Sequence, residues 1–394
     1  MKTKSHVLFS VFAFVVATLL PVLGNTACVF SSGETGRSPV DSITIMTWNL
    51  QLLFDGVEEG TEFRDFRQEA GWTQEKYLGR LNVIVRAINE MEEKPDIIAL
   101  QEVESAQVVA DIAGALTAHQ YNWTHFARIP GMTLGVAIIS RYPLSGAISH
   151  CINIDGDIAP RPMIEARVNV PGGMLGDTAT GKADGNSLLL FVCHWKSKLG
   201  GAEETESTRR ASARTVLRRM RELERTNPGL PVVIAGDLNV THDEFFRSGG
   251  EYMKSLMPDD PYAAEFAMRY FAQANPGFAF SAKRLQQDFI VVSHSKPPQA
   301  AYYPDALIAM YSPWGVEKED GSFFFRNSWE TIDHFLLSRQ LFDETGWEFY
   351  DSRRVNVPPF VNIDGLPNTY NPRTGHGLSD HLPLLLFLRV ADGD

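Results

Sequence analysis

Six stretches of this chain share one design: an apolar, β-branched run, or the end of one, breaks off on polar or charged side chains. The plainest is Val232-Val233-Ile234-Ala235-Gly236-Asp237-Leu238-Asn239. Such a run reads as a strand buried on both faces. Gly236 lets the backbone turn or approach a neighbour closely. Asp237 and Asn239 are two residues apart, so in extended backbone they share a side. The other stretches deliver Asn49 after Ile43 to Trp48, Glu102 within Asp96 to Val103, and His194 after Leu188 to Cys193. Asp333 falls inside Trp329 to Ser338, and Asp380-His381 precedes the run Leu384 to Leu388. A chain built this way must bury its strands from both sides and collect its polar residues at strand ends.

Helical periodicity supplies the cover. Tyr77, Leu81, Ile84, Val85 and Ile88 place an amphipathic helix over Thr73 to Met91. Ser105 can cap a second helix carrying Val108, Ile112 and Leu116. A third spans Ala202 to Arg225, with Ala213, Val216, Leu217, Met220 and Leu223 inward. Arg209, Arg210, Arg214, Arg218, Arg219 and Arg221 are expected on its outer face. Further strands are expected at Leu134 to Arg141 and, after Arg161-Pro162, at Met163 to Val170. The Gly-rich stretch Gly172 to Asn186 reads as a hairpin loop. Val240 to Asn327 reads as helices and loops decorating one edge. Strands interleaved with a few amphipathic helices make a layered α/β fold.

Each strand-end residue alone has a plain structural reading: a solvated acid, a packed histidine, a turn asparagine. Together they suit phosphodiester hydrolysis. That reaction needs phosphate charge neutralised, a water activated, a leaving oxygen stabilised and all three held still. Mg²⁺ takes a few oxygen ligands and keeps several waters, which Glu102 with Asn49 could supply. Two histidines backed by carboxylates suit the proton work.

Composition limits the partners and the compartment. The net charge is −12 and the pI near 5.4, which argues against tight, non-specific nucleic-acid binding by the whole surface but leaves room for a local basic groove. Lys2 and Lys4, the apolar Val7 to Gly24 and the small residues Asn25, Thr26 and Ala27 form a secretory leader pattern over 1–27. A retained membrane anchor is the alternative. Cys28 follows directly, where bacterial lipoproteins carry their lipid, and the polar 28–41 segment would serve as a tether. Export to the periplasm, the cell envelope or the medium is therefore expected, with any membrane contact made through that anchor. Cys151 and Cys193 could be free thiols or one disulfide.

Trp48-Asn49, Leu100-Gln101-Glu102, Gly135 to Pro143, His194-Trp195-Lys196-Ser197-Lys198, Gly236-Asp237-Leu238-Asn239, Ile332-Asp333-His334 and Ser379-Asp380-His381 occur in a telling order. The order resembles that of the endonuclease/exonuclease/phosphatase superfamily, which includes deoxyribonuclease I, abasic-site endonucleases, sphingomyelinases and inositol-polyphosphate 5-phosphatases. The resemblance runs from Ile43 to Val390. It implies a four-layer α/β/β/α sandwich over 42–394, with an insertion near 240–327. It also implies Mg²⁺, with Mn²⁺ or Ca²⁺ as substitutes, held by Glu102, Asn49 and Asp380. Asp237 would position or deprotonate the attacking water, and Asn239 would donate to a phosphate oxygen. His381 would sit beside the scissile phosphate, held by Asp333, and His194 would touch the phosphate or protonate the leaving oxygen. Arg161 falls where the nucleases carry a phosphate-binding arginine. The residue that braces the second histidine in these enzymes has no clear counterpart, and Tyr121 and Tyr142 are the candidates.

His194 to Leu199 with Gly200-Gly201 and the arginine-rich helix resembles exported bacterial nucleases of that superfamily. This implies a monomeric enzyme acting on DNA or RNA, with Lys196, Lys198 and Arg209 neutralising phosphates beside the cut. The alternative is a phosphoesterase of the same fold acting on phospholipid headgroups or phosphoinositides. Phe323-Phe324-Phe325 favours it, while the stretch around Asp333 lacks the Trp-Cys-Asp-Arg pattern of inositol phosphatases. A non-catalytic binding protein is a third reading, against which the full set of acids and histidines argues.

Overall fold

The apolar runs pair into two sheets. A computed structural model describes residues 40–154, 156–171, 186–274, 287–304, 307–315 and 321–391. The expected leader, Cys28, nearly all of the tether and most of the 172–186 loop lie outside these residues. The chain enters on β1 (Ser42–Leu53), passes through α1 (Gln74–Glu90) to β2 (Ile97–Val103), then through α2 (Ala106–Ala115) to β3 (Trp123–Ala127) and β4 (Gly135–Ser140). It continues with β5 (Leu144–His150), the short pair β6 (Asn153–Ile154) and β7 (Asp157–Ile158), β8 (Met163–Asn169) and β9 (Ser187–His194). Helix α3 (Glu206–Thr226) leads to β10 (Val232–Asp237), followed by α4 (Glu244–Arg247), β11 (Leu256–Pro258), α5 (Pro261–Ala274), β12 (Ile290–Ser293) and β13 (Ala309–Tyr311). A hairpin of β14 (Phe323–Phe325) and β15 (Ser328–Glu330) precedes β16 (Asp333–Leu337), β17 (Trp347–Arg354) and β18 (Leu384–Val390).

The first sheet runs β17-β18-β1-β2-β4-β3 and the second β11-β12-β13-β16-β10-β9-β8-β5. Alternation decides which faces meet. Ile43 and Ile45 of β1, Ile97 and Ala99 of β2, Leu188 and Leu190 of β9, and Val233 and Ala235 of β10 share one buried core between the sheets. The opposite face of the first sheet, through Met46, Trp48, Ile98 and Leu100, packs on Tyr77, Leu81 and Ile84 of α1 and on Val108 and Ile112 of α2. The opposite face of the second, through Phe191, Val232 and Ile234, packs on Val216, Leu217 and Met220 of α3. The result is a four-layer α/β/β/α sandwich. The expected cap forms, with Ser105 Oγ accepting from the Val108 amide at 3.2 Å, and Thr73 Oγ1 likewise accepts from the Lys76 amide at 3.4 Å.

The structure corrects the sequence reading in three places. The stretch after Asn239 does more than decorate: β11, β12 and β13 extend the second sheet beyond β16. Their runs are only three or four residues long, too short to show a period. Trp329 to Ser338 is not one strand, because its first part closes the β14–β15 hairpin and β16 starts afresh at Asp333. Arg209 is not on the outer face of α3. It is 1% exposed, pairs with Glu206 at 2.6 Å and donates to the carbonyls of Lys196 and Ala202, so it fixes a loop and cannot meet a substrate phosphate. Cys151 and Cys193 are both free, the first exposed and the second buried.

Candidate active site

Register brings the polar strand ends together. Asp237 of β10 is paired with His194 of β9 on one side and with Asp333 of β16 on the other. Residues directly opposite on neighbouring strands share a face, so these three side chains form a row across the end of the second sheet. Gly236 makes the row possible. Its φ is +136°, and an added Cβ would drive into the Cys193 carbonyl of β9.

The first sheet contributes Asn49 and Glu102 through irregular strand ends. The β1–β2 pairing slips between Asn49 and Leu53, and the β2–β4 pairing slips at Glu102, whose φ is +60°. Bulges of this kind re-aim side chains. Asn49 Nδ2 donates to Asp237 Oδ2 at 3.1 Å, which joins the two sheets at the site. Glu102 Oε2 accepts from the Leu52 amide at 2.9 Å, while its Oε1 lies 3.7 Å from His194 Nε2.

The loop before β18 completes the cluster. His381 Nδ1 is 2.8 Å from Asp333 Oδ2, and Asp380 Oδ1 is 3.9 Å from His381 Nε2. This loop is tied to β1 at two points: Trp48 Nε1 donates to the His381 carbonyl at 3.0 Å, and Ser379 Oγ donates to the Asn49 carbonyl at 2.6 Å. Asn239, with φ +53°, donates through Nδ2 to the Trp195 carbonyl at 3.1 Å, and its amide donates to Asp237 Oδ1 at 2.9 Å. Arg161 donates to the same Trp195 carbonyl and lies within electrostatic reach of Glu102 and Asp237.

The two lysines are not brought into this row. Lys198 Nζ is held by Glu244 at 2.7 Å and Glu330 at 3.3 Å. Lys196 Nζ folds back on the Leu199 carbonyl at 3.2 Å. Neither Tyr121 nor Tyr142 braces His194. Tyr121 donates to the Pro95 carbonyl and Tyr142 to Asp96, at the opposite end of β2 from Glu102. The group facing His194 Nε2 is Asp237, at 3.4 Å.

Burial and charge set the protonation states. Burial pushes the Asp237 carboxyl up, but His194, His381 and Arg161 together hold it below the usual carboxylate range. Burial pulls His381 down, yet Asp333, Asp380 and Asp237 outweigh it and lift the imidazole to about 10. His194 goes the other way: burial and Arg161 lower it despite Asp237 and Glu102. Asp380 is pushed up to about 6 by burial and by the charges of Glu102 and Asp237, against the pull of His381.

That crowding of acids is what a bound cation would relieve. Asp237, Asp333 and His381 offer ligand atoms within 4.8 Å of one another. The expected cation ligands Glu102, Asn49 and Asp380 offer oxygen atoms to an ion. Asn49 bonds Asp237, Glu102 accepts from the Leu52 amide, and the Asp380 carboxyl is coupled electrostatically to Glu102. An oxygen-only, partial shell of this kind fits a hard divalent ion.

Sequence reasoning missed several residues that hold the site. Arg80 of α1 is 2% exposed and donates to the carbonyls of Leu50, Gln51 and Leu52, which fixes the irregular end of β1. Its guanidinium lies 3.7 Å over the Tyr370 ring. The signal was present, since Arg80 is a lone charge in the apolar stripe of Tyr77, Leu81 and Ile84. Ser322 Oγ donates to Asp333 Oδ2 at 2.6 Å, and nothing in the sequence links those two positions.

Residues 44–257 match the Endonuclease/Exonuclease/phosphatase family. No curated protein matches the chain. Among solved structures, truncated Caenorhabditis elegans TDP2 is 14% identical over 89% of this chain and 98% of its own, with a TM-score of 0.46. The endonuclease/exonuclease/phosphatase from Bacteroides vulgatus is 17% identical over 89% and 99%, with a TM-score of 0.45. The human Nocturnin catalytic domain with bound sulfate anion is 15% identical over 89% and 94%, with a TM-score of 0.46.

Proposed function

The chain belongs to the endonuclease/exonuclease/phosphatase family, and from that premise we propose that it is a Mg²⁺-dependent phosphodiesterase that cuts DNA or RNA outside the cytoplasm. The observation that carries the reading is the row His194, Asp237, Asp333 across one sheet end, with His381 bonded to its last member and Asn49 tying in the other sheet. The leader pattern at 1–27 supports export.

Mg²⁺ held by Glu102, Asn49 and Asp380 would neutralise phosphate charge. Ionised Asp237 orients the attacking water; its low proton affinity suits orientation better than proton storage. His381, protonated through the neutral range, stabilises charge building on the phosphate and can give its proton to the leaving oxygen. Asp333 sets the ring and the tautomer of His381. His194 stays neutral and hydrogen-bonds toward Asp237. Arg161 and the free Nδ2 hydrogen of Asn239 serve as phosphate-oxygen donors.

Exposed Phe325, near this row, favours a second reading: hydrolysis of phospholipid headgroups. Purified protein offered plasmid DNA, RNA, sphingomyelin and phosphoinositides, each with Mg²⁺ and with EDTA, separates the two. Nicking that EDTA abolishes, with no lipid turnover, is the expected result, and it should weaken steeply as salt rises. Lipid turnover with intact nucleic acid would overturn the first reading in favour of the second.

A further inference from the structure

We propose that the β14–β15 hairpin is a base-stacking platform, so that the enzyme prefers nucleic acid in which the nucleotide beside the scissile phosphate is unpaired. This rests on the phosphodiesterase reading above and names the substrate form that the same site selects.

The hairpin is short and its shape is fixed. Phe323 pairs with Glu330, Phe324 with Trp329 and Phe325 with Ser328, leaving Arg326 and Asn327 as a two-residue turn. Their φ values of +47° and +64° match the turn that suits the strand twist. Alternation puts Phe323 and Phe325 on one face and sends Phe324 to the other, against Trp329 at 5.2 Å. Three bonds anchor the unit: Ser322 to Asp333, Lys198 to Glu330 at 3.3 Å, and Arg354 to the Gly321 carbonyl at 2.7 Å.

The aromatic face continues the active site outward. Phe323 bridges His381 in backbone pairing and stacks on its imidazole, with centroids 4.6 Å apart and planes 27° apart. Phe325 lies 6.0 Å beyond Phe323 at an interplanar angle of 16°. It is 47% exposed, and the Arg326 guanidinium is 5.1 Å from its centroid. A row of near-parallel rings thus leads from the imidazole to a half-exposed ring with the Arg326 guanidinium over it. Scattered exposed aromatic residues are ordinary. A stack continuous with the reacting histidine is not, because a substrate bound by its phosphate at His381 brings its neighbouring groups to this row.

The chemistry that matches is a nucleobase on a phosphodiester backbone. Its π face can extend the stack in a sequence-tolerant way, and its phosphate suits Arg326. A base inside a duplex already has both faces covered and must leave the helix first. The platform therefore discriminates by pairing state and not by base identity.

The test compares wild type, Phe325→Ala and Phe325→Trp on three Mg²⁺-containing substrates. These are a single-stranded oligonucleotide, the same strand in a duplex, and the same strand with abasic sugars flanking the cut. Wild type is expected to favour the single strand. Phe325→Ala should reduce the ratio of single-strand to abasic kcat/KM by about 5- to 100-fold, mainly through KM, and Phe325→Trp should restore it. An unchanged ratio, or equal wild-type turnover of single strand and duplex, would overturn the platform while leaving the nuclease reading standing. An unchanged ratio with lost binding to phosphatidylglycerol vesicles would assign Phe325 to a membrane instead. Failure of wild type to cut any strand would overturn both readings.

Discussion

His381 Nδ1 sits 2.8 Å from Asp333 Oδ2, and both groups are buried. The pair spans the two sheets' connections: Asp333 opens β16 in the second sheet, and His381 lies in the loop that enters β18 in the first. Ser322 holds the same carboxylate oxygen from a third direction. The imidazole is thereby fixed in orientation and kept protonated at neutral pH.

Asp333→Asn should keep the geometry and remove the charge. Because Asp333 is the main group lifting His381 to about 10, its loss lets burial pull the imidazole down. A step that needs protonated His381 then fails at lower pH than in wild type. The basic limb of the kcat profile should move toward acid, and kcat at neutral pH should fall about 10²- to 10⁴-fold. Circular dichroism should show an unchanged fold.

Arg80→Met should strike the site from behind. It strips donors from the carbonyls of Leu50, Gln51 and Leu52, at a cost of about 2–4 kcal/mol in denaturant unfolding. The Leu52 amide holds Glu102, so affinity for Mg²⁺ should also drop about 10- to 100-fold, measurable by calorimetry. Arg80→Lys should recover part of both.

Much of this arrangement was readable in the sequence because strand ends announce themselves. A buried apolar run that breaks on Asp237 or His194 gives both the strand and the direction its end faces. The register that places His194, Asp237 and Asp333 in one row was not readable, since pairing depends on contacts between distant segments. Arg209 was misplaced for a different reason. Helical spacing alone puts it with the other arginines, and only the Glu206 side chain together with the carbonyls of Lys196 and Ala202 makes its burial favourable. Phe323 was legible only as part of an apolar run suited to a lipid substrate, and nothing in the sequence placed its ring on His381.

Glu104 offers a stability test away from the chemistry. Burial, reinforced by the negative charges of Asp55, Glu62 and Glu59, pushes its carboxyl up to about 8 against the hydrogen bond from the Asp55 amide. The folded chain therefore holds a proton here that the unfolded chain releases near 4.5. This group's contribution is complete below that value and is lost as pH rises through about 8. Glu104→Gln should flatten the fall in melting temperature over that window and raise it at the alkaline end. A wild-type melting temperature that climbs across the same window, with no change in the variant, would contradict the assignment.

Glu102 and its neighbours are proposed to work through a divalent cation. Plasmid nicking by wild type and Glu102→Gln should be measured against Mg²⁺ concentration, with EDTA as the zero point. We expect saturable activity that EDTA abolishes in wild type, and a loss of about 10²-fold or more, or a curve moved to much higher Mg²⁺, in the variant. Nicking indifferent to EDTA, or identical Mg²⁺ curves for the two proteins, would contradict it.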